Sequence, residues 1–211
     1  VGGAKVSDKL KVLENLLSRV DLLVLGGGMA NTFLLAQGKA VGKSLAEHDM
    51  VDEARRVLAS AEARGVRVIL PVDVIVAKEV TRGTEYKTLS AEKIPASWHI
   101  VDVGKATLEL MEAALADAQT VFWNGPLGVF EIPSFAHGTK AIARFLAERA
   151  DAGATVVVGG GDSVAAIQQQ GLASRFTHIS TGGGASLEFL EGRELPGVAI
   201  LQDREPEATP A

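Results

Sequence analysis

Thr155-Val156-Val157-Val158-Gly159-Gly160-Gly161-Asp162-Ser163 decides how the rest of this 211-residue chain is read. The three valines are a β-branched run of the kind that forms a buried strand. Three glycines follow without a break, and Val164-Ala165-Ala166-Ile167 opens a helical pattern. In that order, backbone N–H groups are left bare on a turn that a ligand can approach closely. The helix N-terminus adds partial positive charge. Asp162 offers a carboxylate for a metal ion, and Ser163 a hydroxyl. The stretch reads as a phosphate cradle with a magnesium handle, or as a strand-to-helix turn capped by Asp or Ser. Taken alone, it leaves the two open.

Outward from it, the chain alternates. Leu10, Leu13, Leu16 and Leu17 stand at helical spacing within Asp8 to Arg19. Leu22 to Leu25 reads as a buried strand ending in Gly26-Gly27-Gly28, and Met29 to Gln37 as a helix. Asp49 to Arg64 is a second helix, with Met50, Ala54, Val57, Leu58 and Ala61 on one face. Val66 to Leu70 is a strand stopped by Pro71, and Asp73 to Ala77 is extended as well. Residues 78–97 are polar and irregular. His99 to Val103, Thr120 to Trp123 and Thr177 to Ile179 read as strands. Thr107 to Ala116, Ser134 to Ala150 and a glycine-led segment to Leu190 read as helices. Strands alternating with helices predict a parallel sheet covered on both faces, with ligands at the carboxyl ends of the strands. The tail, Gln202 to Ala211, has two prolines and few large apolar groups and is expected to be disordered.

Composition excludes several classes. A chain that is 47% hydrophobic and 22% charged can bury a sizeable core in one large domain or two small ones. There is no cysteine, hence no disulfide framework or thiolate metal site. His48, His99, His137 and His178 are scattered and read as surface or packing residues. No apolar run approaches the roughly 18–20 residues of a membrane span. A net charge of −5 without long basic runs argues against a phosphate-driven nucleic-acid binder. No signal peptide is visible, and the start on Val1 leaves targeting open.

The glycine motifs need sorting. Gly38 to Ser44 resembles a Walker A loop but has Gln37 where its first glycine belongs, and it follows a helix instead of a strand. Gly26 to Asn31, Gly159 to Val164 and Gly182 to Leu187 each begin like a dinucleotide fingerprint and depart at the sixth place. Three triple-glycine turns, each between a strand and a helix, point together to one polyanion at one sheet edge. For any single turn, tight helix-on-sheet packing explains it as well. Trp123 to Glu131 (WNGPLGVFE) forms a loop stiffened by Pro126, with apolar walls at Leu127 and Val129 and a carboxylate at Glu131 suited to sugar hydroxyls. Lys5 and Lys9, four apart, share a face if the first helix begins as early as Lys5, and two ammonium groups there call for an anion between them.

GGAKVSDK, GGGMANTFL, VGKSL, LPVD, VFWNGPLGVFE, GGGDS and STGGGASLEFLEG occur in the order and separations of phosphoglycerate kinases, which this chain resembles across residues 1–201. The resemblance covers the carboxyl-terminal, nucleotide-binding half of that family. The half whose basic patch binds 3-phosphoglycerate is not among these residues, so the chain looks like an isolated domain. The fold this implies is α/β and Rossmann-like: a doubly wound, mainly parallel six-stranded sheet with helices on both faces. Position by position, Lys5 matches the lysine that follows the phosphoryl group, and Lys9 the lysine on the nucleotide phosphates. Ala4, Gly27, Gly28, Leu45, Val101 and Val129 match the adenine slot, Pro126 and Glu131 the ribose contacts, and Asn124 a phosphate-side contact. Gly160 and Gly161 belong to the phosphate turn. Asp162 matches the magnesium ligand and Ser163 the hydroxyl on the β-phosphate, where many members have threonine. Gly182, Gly183 and Gly184 match the helix start that points at the transferring phosphate. Gly104-Lys105 departs from the Gly-Pro of many members.

The resemblance implies a cytoplasmic glycolytic kinase, monomeric at full length, that uses Mg2+ with ATP or ADP. It implies that this half alone binds nucleotide with little or no turnover, and that 3-phosphoglycerate and 1,3-bisphosphoglycerate engage only with the other half. Two other classes share the alternating pattern. A dinucleotide-dependent oxidoreductase would need an acidic ribose anchor, for which Glu47 and Asp49 stand near the expected spacing. A structural scaffold would bind no nucleotide.

Overall fold

The computed structural model describes residues 1–180, 182 and 184–201. The expected disorder of residues 202–211 and the role given to Gly183 fall outside them. Strands β1 (Leu22–Val24) and β2 (Arg67–Ile69) pair in parallel, as do β6 (Thr120–Asn124), β7 (Thr155–Gly159) and β8 (His178–Ile179). The two parallel pieces are joined by the first residues of the chain. The Val1 nitrogen donates to the Val24 carbonyl at 2.7 Å, and Gly26 N–H donates back to the Val1 carbonyl at 3.0 Å. On the other side Gly2 N–H donates to the Asn124 carbonyl at 2.8 Å. The central sheet therefore runs β2–β1–(Val1–Gly2)–β6–β7–β8, six segments wide.

Helices cover both sides. Around α1 (Leu10–Leu16), α2 (Gly27–Ala36) and α3 (Val51–Ala63), the residues Leu13, Leu25, Met29, Phe33 and Val57 form one apolar cluster. Around α4 (Lys105–Leu115), α5 (His137–Asp151) and α6 (Gly161–Gln169), the residues Met111, Leu146, Val156, Val158 and Ile167 form a second. Side chains such as Phe33 and Leu146, at 0% and 1% exposure, each contribute about 1.5–3 kcal/mol by leaving water. The periods read from the sequence are those of these elements, with ends moved by a residue or more. The first helix begins at Leu10, not Lys5, so Lys5 and Lys9 do not share a helical face.

One sheet departs from the parallel expectation. Strands β3 (Asp73–Ala77), β4 (Tyr86–Ser90) and β5 (His99–Val103) form an antiparallel sheet in the order β4-β3-β5. The link from β3 to β4 is too short for a crossover helix, so the second strand can return only alongside the first. The remaining helices, α7 (Gly184–Leu190) and α8 (Pro196–Ala199), close the described chain.

Gly27 shows how tightly the carboxyl edge is built. Its φ is +69°, and a Cβ there would lie 2.6 Å from the Gly3 carbonyl oxygen and 2.8 Å from that of Pro126. Both the backbone sign and the space exclude a side chain. Gly27→Ala should lower the unfolding free energy by about 2 kcal/mol or more in a urea titration. An unchanged midpoint would show that the edge can relax.

Candidate functional site

The carboxyl ends of β1, β6 and β7, with β5 beside them, open on one cleft of about 220 Å³. Ala4, Gly27, Gly28, Leu45, Val101, Pro126, Val129, Glu131 and Asp162 all line it. These residues are up to 158 positions apart (162 − 4) and are brought together by the order of the strands. Leu45 is 55% exposed, a large apolar side chain left uncovered at the rim. Its loop is held from three directions. Asn31 Nδ2 donates to the Leu45 carbonyl at 3.0 Å, Glu47 N–H donates to Thr32 Oγ1 at 3.0 Å, and the Glu47 carboxylate accepts from Ser7 N–H, also at 3.0 Å. Burial pushes the Glu47 carboxyl up, but hydrogen bonds from Ser7 and Val6 and the charge of Lys5 outweigh it and hold the group below its usual range. Glu47 is thus committed to Ser7, and Asp49 lies in a short 3₁₀ turn.

Asn124 and Lys9 join the sheet to the glycine turn. Lys9 Nζ donates to the Gly2 carbonyl at 2.7 Å, to Asn124 Oδ1 at 2.6 Å and to the Asn124 carbonyl at 3.3 Å, so all three ammonium protons have acceptors. Burial lowers its pKa to about 8, against the raising charges of Asp162 and Asp8. Because the ammonium can only donate, Asn124 must turn its oxygen toward Lys9. The Nδ2 amide is then buried without a partner, 3.0 Å from where a Gly160 Cβ would stand. An orphaned buried donor is costly unless an acceptor arrives. It therefore fits a phosphate oxygen held at the turn. Gly160 has φ +88°, and Gly161 has open space where a Cβ would project. Asp162 is exposed at the start of α6.

Ser163 follows Asp162 in the first turn of α6. It is fully buried, and its Oγ accepts from Gly125 N–H at 2.6 Å, so it fastens the loop before Pro126. Lys5 is exposed. Gly184 begins α7, and Gly182 precedes it.

Among the described residues no three carboxylate or imidazole groups gather as a ready-made metal cage. A single exposed carboxylate beside a glycine turn has the chemistry to suit magnesium, which keeps phosphate oxygens and water in its shell. No described helix is long and apolar enough to cross a membrane.

Asp102, on β5, was not singled out by the sequence reading, though a carboxylate in the apolar run His99-Ile-Val-Asp-Val is a readable signal. It is 1% exposed. Burial pushes its pKa from 3.8 up to about 7, although N–H groups of Gly138, Val103 and His137 favour the charged form. Between those two values the folded chain holds the proton more tightly than the unfolded chain, so this group's contribution to stability falls as pH rises and levels off above about 7. The readout is therefore the difference from Asp102→Asn. From pH 5 to pH 8 the unsubstituted chain should lose up to roughly 3 kcal/mol relative to that variant in urea titrations. Parallel pH profiles would contradict the assignment.

The phosphoglycerate kinase family model matches residues 1–193. Phosphoglycerate kinase of Chloroflexus aurantiacus is 56% identical over 205 residues, which are 97% of this chain and 51% of that protein. That of Rubrobacter xylanophilus is 55% identical over 205 residues, again 97% and 51%. A solved phosphoglycerate kinase from Coxiella burnetii superposes with a TM-score of 0.91 at 45% identity, covering 95% of this chain and 51% of that one. The chain spans about half the length of the curated relatives it matches.

Proposed function

The chain belongs to the phosphoglycerate kinase family, and from that premise we propose that residues 1–201 are its nucleotide-binding domain, the half that takes ATP or ADP with Mg2+. The observation that carries this reading is the single cleft lined by every residue the motifs assign to adenine, ribose and magnesium. Adenine lies between the Gly27-Gly28 and Ala4 backbone and the apolar side chains of Leu45, Val101 and Val129. Glu131 accepts from ribose hydroxyls beside Pro126. The phosphates run toward the Gly160-Gly161 turn and the free Nδ2 of Asn124. Asp162 is the protein ligand of the magnesium ion, whose charge offsets that of the phosphates.

The proposed reaction of the whole enzyme is reversible transfer of phosphate between 1,3-bisphosphoglycerate and ADP, giving 3-phosphoglycerate and ATP in cytoplasmic glycolysis. A terminal oxygen of ADP forms the new P–O bond as the acyl-phosphate P–O bond breaks. In such a transfer positioning and charge stabilisation dominate. Lys5, exposed and without a committed partner among the described residues, is free to follow the moving group. The phosphoglycerate site belongs to the half of the relatives that these residues do not match.

Calorimetry with ADP tests the reading. With magnesium present, Asp162→Ala should weaken binding by about tenfold or more, whereas in excess EDTA the two proteins should bind alike. Absence of ADP binding at millimolar nucleotide would sink the proposal.

A further inference from the structure

Among the described residues Asp102 is the only fully buried side chain that can ionise, and none of the roles above uses it. Its oxygens face two segments at once. Oδ1 accepts from Val103 N–H at 2.9 Å, within β5, and Oδ2 accepts from Gly138 N–H at 2.8 Å, in the first turn of α5. The residue before that helix is Ala136, which supplies no side-chain cap, so Asp102 caps α5 from a neighbouring strand. The Trp123–Glu131 loop closes over the same carboxylate. A Cβ on Gly128 would lie 2.4 Å from Oδ1, and one on Gly138 also 2.4 Å from it. Both segments approach within a distance that only a hydrogen atom allows. The loop is pinned on either side of Gly128. Leu127 N–H donates to Thr139 Oγ1 of α5 at 3.0 Å, and Val129 N–H donates to the Val101 carbonyl of β5 at 2.8 Å.

We propose that Asp102 is a positioning residue for the nucleoside end of the cleft. By tying β5, the start of α5 and the backbone at Gly128 together, it fixes where Pro126, Val129 and Glu131 stand. This rests on the nucleotide reading of the cleft. An amide at position 102 would turn a donor toward one of the two N–H groups, lose that bond and let the loop shift.

A double-mutant cycle on ADP affinity, read by calorimetry with Mg2+, separates this role from a general loss of stability. If Asp102 acts through the loop, Asp102→Asn weakens ADP on the order of tenfold in the unsubstituted chain but about twofold or less in a Glu131→Gln background. Equal effects in both backgrounds, or no effect in either, overturn the proposal. Should Asp102→Asn fail to fold, Thr139→Val, which removes the second α5 anchor of the same loop, takes its place under the same criterion. If the unsubstituted chain binds no ADP, the nucleotide reading falls and this inference with it. Binding with additive effects overturns the inference alone.

Discussion

Given 1,3-bisphosphoglycerate and Mg-ADP, these 211 residues alone should form ATP at least about 10³-fold more slowly than a full-length phosphoglycerate kinase. Phosphoryl transfer asks little covalent work of the protein, so its rate depends on holding two charged substrates in line and away from water. The proposed nucleotide cleft supplies one of the two. The second substrate carries phosphate groups and needs concentrated positive charge, whereas this chain has a net charge of −5. Among the described residues no lysine or arginine lines the cleft, Lys9 has its protons committed to Gly2 and Asn124, and Lys5 is exposed. A coupled ATP assay checks the expectation. Adding the other half of a relative as a separate protein should restore part of the activity. Turnover by this chain alone at the rate of the full-length enzyme would refute the dependence.

Lys9→Ala should cost about 2–3 kcal/mol of stability and weaken Mg-ADP by about tenfold or more. Two effects oppose each other. Removing a buried ammonium relieves the burial that lowers its pKa to about 8. Against that, the Gly2 carbonyl and Asn124 Oδ1 lose a charged donor at 2.7 and 2.6 Å, and both acceptors stay buried. Orphaned buried acceptors each cost about 1–3 kcal/mol, so the loss outweighs the relief. The nucleotide effect follows from the same bonds, because without Lys9 nothing dictates which end of the Asn124 amide faces the Gly160 turn. Lys9→Met, which keeps an apolar stem but no donor, should behave like Lys9→Ala. Denaturant titration and calorimetry measure the two quantities. If affinity is unchanged in both variants, Lys9 has no part in the site.

Much of the site was legible because it is written in short local patterns. The valine run before Gly159 and the helical spacing after it place a glycine turn at a strand's carboxyl end, and Gly26-Gly27-Gly28 does the same after β1 of the same central sheet. Pro126, Val129 and Glu131 could be read as one loop because they are neighbours in sequence. Lys9 could not be read in the same way. Its partner Asn124 is 115 residues distant, and from the sequence it was as easily a solvated lysine. Ser163 could be read as a hydroxyl donor, but not as one whose Oγ accepts from a backbone N–H 38 residues away.

The sequence by itself determined most of the strands, helices and glycine turns, though not the strand Tyr86–Ser90 in a stretch read as irregular, and through its motifs the family. Those properties depend on backbone sterics and on side-chain periodicity within a few residues. Tertiary structure decided the rest. It set Val1 and Gly2 between β1 and β6, folded β3, β4 and β5 into an antiparallel sheet, and buried a carboxylate at Asp102 under the loop. It also turned Asn124 so that an unpaired donor faces the Gly160 turn. Each of these depends on hydrogen bonds or burial contributed by segments far apart in the chain, and no local pattern encodes which distant group will arrive.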